Sequence, residues 1–166
     1  MLYLLDADTL IRADRTYYPL ERFPVFWEWL LYHAEAGTIK IPREQYDEVA
    51  AGKGDLVNWL LDKARKDALV LSGVVDPQLV SQVIAQGYAP DLNATELQTV
   101  GQDPFLIAYG LVSVIDRAIV SFETSAPKKQ RGNRKVPDVC AVFGLSCITL
   151  FDLINALDFT TNWTRP

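Results

Sequence analysis

The sequence predicts an α/β protein, a three-layer α/β/α sandwich around a central, mainly parallel sheet of about four to five strands. Two observations predict it. Strand-like apolar runs alternate with helical patterns along the whole chain, and strands placed that way become parallel neighbours through crossover connections. The first run, "MLYLL", is continuously apolar, as a strand buried on both faces of a parallel sheet is. With 166 residues, 49% of them apolar and 11% aromatic, the chain is long enough to bury a sizeable core, and the expectation is a single domain over residues 1–166.

The elements follow in order. After "MLYLL" and a loop, "ADRTYYPL", residues 22–36 place Phe26, Trp29, Leu30 and His33 at helical spacing, and Gly37 terminates them. "TIKIP" reads as a short β-branched strand closed by Pro42, and "REQYDEVAAG" as a helix with Tyr46, Val49 and Ala50 on one face. Residues 55–68 and 77–86 give two more helices, the second opened by Asp76-Pro77. "NATELQTVGQ" reads as a linker, and Asp103-Pro104 opens a strongly apolar helix, Asp103 being a good N-cap. "RAIVSF" is a strand, residues 128–135 a basic surface loop, "PDVCAVFGL" a short helix, "SCITL" a strand and Phe151 to Leu157 a last helix.

Composition excludes several classes. The opening apolar run is five residues, with no basic region before it and no small-residue cleavage site after it, so neither a signal peptide nor a membrane span is expected. Cys140 and Cys147 are too few for a disulfide framework and lack a metal-ligand pattern, so they read as core residues of a protein in the reducing cytoplasm. The net charge of −5 argues against bulk electrostatic binding of nucleic acid. Its distribution is uneven. "KKQRGNRK" carries Lys128, Lys129, Arg131, Arg134 and Lys135 with no acid, leaving 11 basic against 21 acidic residues elsewhere, a balance of −10. Such a segment is ordinarily a solvated, mobile connection; phosphate contact becomes attractive only beside a metal site.

The acids supply that context. In a parallel sheet, ligand chemistry sits at the carboxyl ends of the strands. Asp6 and Asp8 end the first strand, Glu48 lies a turn into the helix after the second, Asp103 opens the apolar helix, and Glu123 follows "AIVSF". Taken singly, Asp103 is a cap, Glu48 a solvated helix residue and Glu123 the start of a polar loop. A buried Asp6 is harder to dismiss, because an unpaired carboxylate at a strand end is expensive. Crowded carboxylates repel unless a divalent cation neutralises them, and oxygen ligands without Cys or His select Mg²⁺ or Mn²⁺ over zinc. His33, the single histidine, is expected partly buried and not a catalytic base.

These pieces resemble the PIN domain nucleases, three-layer α/β/α proteins that include the VapC-type toxin ribonucleases of toxin–antitoxin pairs. "LLDADTLI" is similar to the family's first strand with its leading aspartate. "IPREQYDEVAAG" resembles its strand, Pro and helix element, with Pro42, Glu48 and Gly52 at the family's spacing. "QDPFLIAYGL" resembles the third-acid helix and "AIVSFE" the strand ending in a hydroxyl residue and, two positions later, an acid. The family's fourth acid is usually aspartate; here Glu123 takes the place, with Asp116 as the other candidate. The basic insert and "VPDVCAVFGLSCITL" mark an atypical branch in which Asp138 also approaches the site.

The resemblance implies metal-dependent hydrolysis of RNA phosphodiester bonds by a cytoplasmic toxin. Asp6, Glu48, Asp103 and Glu123 would hold Mg²⁺ or Mn²⁺; Asp8 and Ser121 would orient carboxylate or water; and Lys128, Lys129, Arg131, Arg134 and Lys135 would contact RNA. An antitoxin is the implied partner, and the aromatic stretch "YYPLERFPVFWEWLLY" reads mainly as core, with some rings left for it or for a homodimer. Two alternatives stand. One is a catalytically silent PIN-like interaction module. The other is a haloacid-dehalogenase-type phosphatase, whose signature "LLDADTLI" nearly spells, although Thr9 falls at the third position after Asp6 where that family needs the fourth.

Overall fold

The computed structural model describes residues 1–166. Strands β1 (Leu2–Leu5), β2 (Ile39–Lys40), β3 (Arg117–Val120) and β4 (Ser146–Ile148) form one sheet in the order β2-β1-β3-β4, and every pairing is parallel. Ten helices surround it: α1 (Ala7–Arg12), α2 (Pro24–Glu35), α3 (Arg43–Ala50), α4 (Asp55–Leu60), α5 (Lys63–Leu69), α6 (Pro77–Gln82), α7 (Ala94–Val100), α8 (Asp103–Leu111), α9 (Val136–Val142) and α10 (Leu150–Ala156). No helix is long and apolar enough to cross a membrane.

The three layers follow from the alternation of side chains along the strands. Leu5 and Val120 enter a core that contains Phe26, Trp29, Ile39, Leu60 and Leu153, drawn from α2, β2, α4 and α10. Their neighbours Leu4 and Ile119 point the other way, into a core of Val83, Tyr88, Leu106, Ile107, Val139 and Cys140. Both faces are covered, which is why β1 and β3 are apolar at every position from Leu4 and Ala118 to their ends. The aromatic stretch is indeed mostly core: Phe26, Trp27 and Trp29 are fully buried, and Tyr18 stacks on Phe26 at 4.4 Å. His33 is half-buried, edge-on to Trp29 and Tyr32.

Four local expectations need correction. Residues 13–17, in the expected loop "ADRTYYPL", form a π-helical turn that continues α1, and together the two bury Ala7, Leu10 and Ala13 along one side. Residues 55–68 form two helices, because Asp62 accepts a hydrogen bond from the Arg65 N–H and restarts the chain as an N-cap. Residues 77–86 hold an α-helix only to Gln82, followed by a π-helical turn from Val83 to Tyr88. The expected linker "NATELQTVGQ" is α7: Asn93 and Glu96 form a reciprocal capping box, and Gly101, at φ +56°, ends the helix.

Candidate functional site

The sheet delivers Asp6 and Ser121 to its carboxyl edge on adjacent strands. Both follow directly on their strands, and ladder bonds continue through them: the Asp6 N–H donates to the Val120 carbonyl at 3.0 Å, and the Ser121 N–H to the Ile148 carbonyl at 3.0 Å. The side chains then meet, with Ser121 Oγ donating to Asp6 Oδ2 at 2.7 Å; Asp6 is 6% exposed and Ser121 0%. One hydrogen bond does not compensate a buried carboxylate. Burial pushes the Asp6 carboxyl up to about 6, against the lowering effect of Ser121 and with the charges of Asp8 and Glu123 adding to the rise.

Asp103 is the first residue of α8 and not its N-cap; Gln102 holds that place, so the carboxylate caps nothing. Burial pushes it up to about 8, and the charges of Asp6, Glu123 and Glu48 push the same way, with Lys135 opposing. Glu48 lies on the exposed side of α3, where residual desolvation and the charge of Asp8 raise its pKa. Asp6, Glu48, Asp103 and Glu123 therefore act on one another at one edge of the sheet. No group of three or more His, Cys, Asp or Glu side chains is arranged to hold a metal ion, so these acids are coupled through charge and not through a closed cage.

Glu123 is the acid whose place differs from expectation. Its Oε1 accepts from Lys135 Nζ at 2.5 Å and its Oε2 from the Val136 N–H at the start of α9 at 2.8 Å, while its own N–H donates to Ser121 Oγ at 3.1 Å. It enters the site as an anchored charge with a built-in counter-ion. Asp116 is excluded from the site: it immediately precedes β3, at the amino edge, and accepts from Ser113 Oγ at 2.7 Å. The Asp138 carboxylate is engaged by Ser125 Oγ at 2.5 Å and the Ala126 N–H at 2.7 Å, and it is not among the charges that raise Asp6 or Asp103. Asp8 is half-exposed, 3.6 Å from Arg12, and reaches Asp6 and Glu48 through its charge.

The basic segment is not a free loop. Arg131 sits at φ +54°, a conformation paid for by its bonds to Glu96 (2.6 and 2.9 Å) and Asp91 (2.8 Å), which fasten the segment to α7. Gly132 lies against the same helix, where a Cβ would meet Glu96 Cβ at 3.0 Å. Arg134 donates to the carbonyls of Gly87 (2.5 Å) and Asp138 (3.2 Å), and Lys135 is the partner of Glu123. Of the five cations only Lys128 and Lys129 are exposed without such a bond.

Two buried residues that the sequence reading passed over complete the site. Gln45, 1% exposed on α3, accepts from the Ala7 N–H at 3.2 Å and donates to the Gln102 carbonyl at 3.0 Å. It thereby ties the residue after Asp6 to the residue before Asp103. Tyr88 is 6% exposed and its hydroxyl has no hydrogen-bond partner, a deficit that costs about 1–3 kcal/mol. Neither signal was legible earlier, since a lone Gln or Tyr in a helical pattern carries no spacing signature. Beside Glu48 and Gln102 opens a polar groove of about 520 Å³, lined by Glu44, Asp47, Glu48, Gly101 and Gln102.

The profile of a family described as "Domain of unknown function (DUF4411)" matches residues 3–161. The chain belongs to the DUF4411 family. No curated protein and no solved structure matches it. In this DUF4411 chain the matched span contains all four acids of the edge, together with Gln45, Tyr88 and Ser121.

Proposed function

We propose that this DUF4411 protein is a divalent-cation-dependent endoribonuclease acting as the toxin of a toxin–antitoxin pair. The observation that carries the reading is the buried Asp6, bonded to Ser121 at the carboxyl edge of a parallel sheet and surrounded by acids whose charges raise its pKa and that of Asp103. A fold spends stability on such a cluster when something positive is to enter it. The order of the acids and its resemblance to the PIN domain nucleases support the same conclusion.

The donors fit a hard cation, being carboxylate oxygens with no thiolate or imidazole among them. Asp6, Asp103 and Glu48 would hold Mg²⁺ or Mn²⁺, which when bound supplies water activation and stabilisation of the charge that develops on a cleaved phosphodiester. Ser121 orients Asp6 through its hydroxyl. Gln45 ties together the backbone next to Asp6 and the backbone next to Asp103. Glu123 holds Lys135 beside Asp103, where the ammonium offsets negative charge that would otherwise repel a phosphate. The groove past Glu48 is itself acidic, so RNA enters it only once that charge is countered. Lys128 and Lys129 then contact phosphates farther along the strand.

The test is cleavage of a fluorescent single-stranded RNA by the purified chain with Mg²⁺, with Mn²⁺ and with chelator. Cleavage should require metal and vanish in Asp6→Asn. A folded, metal-treated chain that cuts nothing favours the second reading, a catalytically silent interaction module, for which the engagement of Glu123 by Lys135 speaks. The phosphatase reading loses ground because Asp8, its second aspartate, faces Arg12 on α1 and the Thr9 hydroxyl is spent on the Val120 carbonyl at 2.9 Å.

A further inference from the structure

Tyr88 closes the π-helical turn 83–88, and its hydroxyl is sealed from solvent without a partner. The turn is held in place on two sides. Gly87 is pressed against α9, where an added Cβ would lie 2.5 Å from Val139 Cγ1 and 3.2 Å from Phe143 Cε2, and its carbonyl is held by Arg134 Nη1 at 2.5 Å. Tyr88 shares its core with Leu106 and Ile107, which stand one turn along α8 from Asp103. The turn that carries Tyr88 packs on α8, the helix that Asp103 opens. Burial raises the hydroxyl's pKa far above the phenol range, and the charges of Asp103, then Cys140, Glu123 and Asp6 raise it further. The group stays protonated, so it is a donor and neither a ligand nor a base.

We propose that Tyr88 is a positioning residue for Asp103: its buried hydroxyl donates to the Asp103 carboxylate when a divalent cation occupies the acid edge, and so sets the orientation in which Asp103 holds the ion. This rests on the cation-binding reading of the site. Ser121 already does the same for Asp6, and an orienting hydrogen bond to a ligating carboxylate is commonly worth a factor of about 10–100 in metal affinity. In the metal-free chain the hydroxyl is the unfilled half of that pair, which explains why it is buried unpaired.

The experiment is a Mn²⁺ titration of the full chain by calorimetry, with and without Tyr88→Phe, alongside thermal unfolding in chelator. The variant keeps the ring and deletes only the orphan hydroxyl. It should unfold at or above the wild-type temperature without metal, yet bind Mn²⁺ about tenfold more weakly. Equal Mn²⁺ affinity in the two proteins overturns the role of Tyr88 while leaving the cation site standing. Absence of Mn²⁺ binding by wild type overturns the site itself, and this inference with it. Should the variant fold poorly, the wild type carries the test by carbon-13 tyrosine NMR. The ring-carbon signal most broadened by trace Mn²⁺ should shift when Mg²⁺ is added, and an unmoved signal refutes the new hydrogen bond.

Discussion

Asp6→Asn should stabilise the metal-free protein at pH 8 while abolishing the RNA cleavage proposed above. In the folded chain the Asp6 carboxyl titrates at about 6, against 3.8 for the unpaired group, and burial is the main cause. Between those values the folded state holds a proton that the unfolded state has released. The contribution is therefore complete below about pH 4 and lost as pH rises through about 6, amounting to about 3 kcal/mol by pH 8. Asparagine cannot ionise and still offers a carbonyl oxygen to Ser121, although its amide needs a partner of its own. The net gain at pH 8 is then about 1–3 kcal/mol, or a rise of roughly 2–10 °C in melting temperature for a chain of this size. At pH 4, where the wild-type carboxyl keeps its proton in the folded chain, that gain is absent and the variant should melt at or slightly below wild type. Differential scanning calorimetry in chelator at both pH values is the assay. A variant destabilised equally at pH 4 and pH 8 would refute the reasoning, because it would mean that the carboxylate bears no burial cost in the folded state.

Three further outcomes are expected. Millimolar Mg²⁺ or Mn²⁺ should raise the melting temperature of wild type, by the equivalent of about 2.7 kcal/mol at one hundred times the dissociation constant, and should not raise that of Asp6→Asn; equal responses of the two proteins would count against Asp6 as a ligand. Gln45→Ala strands the Ala7 N–H and the Gln102 carbonyl and should cost about 2–4 kcal/mol, read from the urea midpoint, with a wild-type midpoint as the contrary result. Within the basic segment the variants should separate. Arg131→Gln lowers the melting temperature and exposes the amides of α7 to hydrogen exchange, whereas Lys128→Gln with Lys129→Gln leaves folding unchanged and lowers the salt slope of single-strand RNA binding by about 1.4. Indistinguishable melting of all three would contradict the fastening of Arg131 to α7.

The layered fold was legible because its cause is periodic: strands buried on both faces leave uninterrupted apolar runs, and those runs alternate with helices. What escaped was structure made by single contacts. The capping box of Asn93 and Glu96 turns an apparent linker into α7, and its polar composition hid it. The restart at Asp62 divides one helical pattern into two because the cap competes locally with continuation. The acids could be placed at one edge from strand ends alone, which is topology. Whether each was free could not, since Glu123 is claimed by Lys135 twelve residues on and Asp138 by Ser125, and such pairings leave no mark in composition.

The same contacts change the meaning of the basic segment. Read as a run of charge, it seemed to be a mobile arm for phosphate. In the folded chain it is better described as a strap across the acid edge: Arg131 grips α7, Arg134 grips the turn that carries Tyr88, and Lys135 grips Glu123. Lys135 also lowers the pKa of Asp103, so the strap holds one positive charge inside a cluster that otherwise repels itself. That charge relieves the cluster only in part, because a single ammonium leaves Asp6 and Asp103 still well above the ordinary carboxylate range. On the cation-binding reading proposed above, the residual repulsion would favour capture of a divalent ion, and it falls on the two acids whose neighbouring backbone Gln45 ties together.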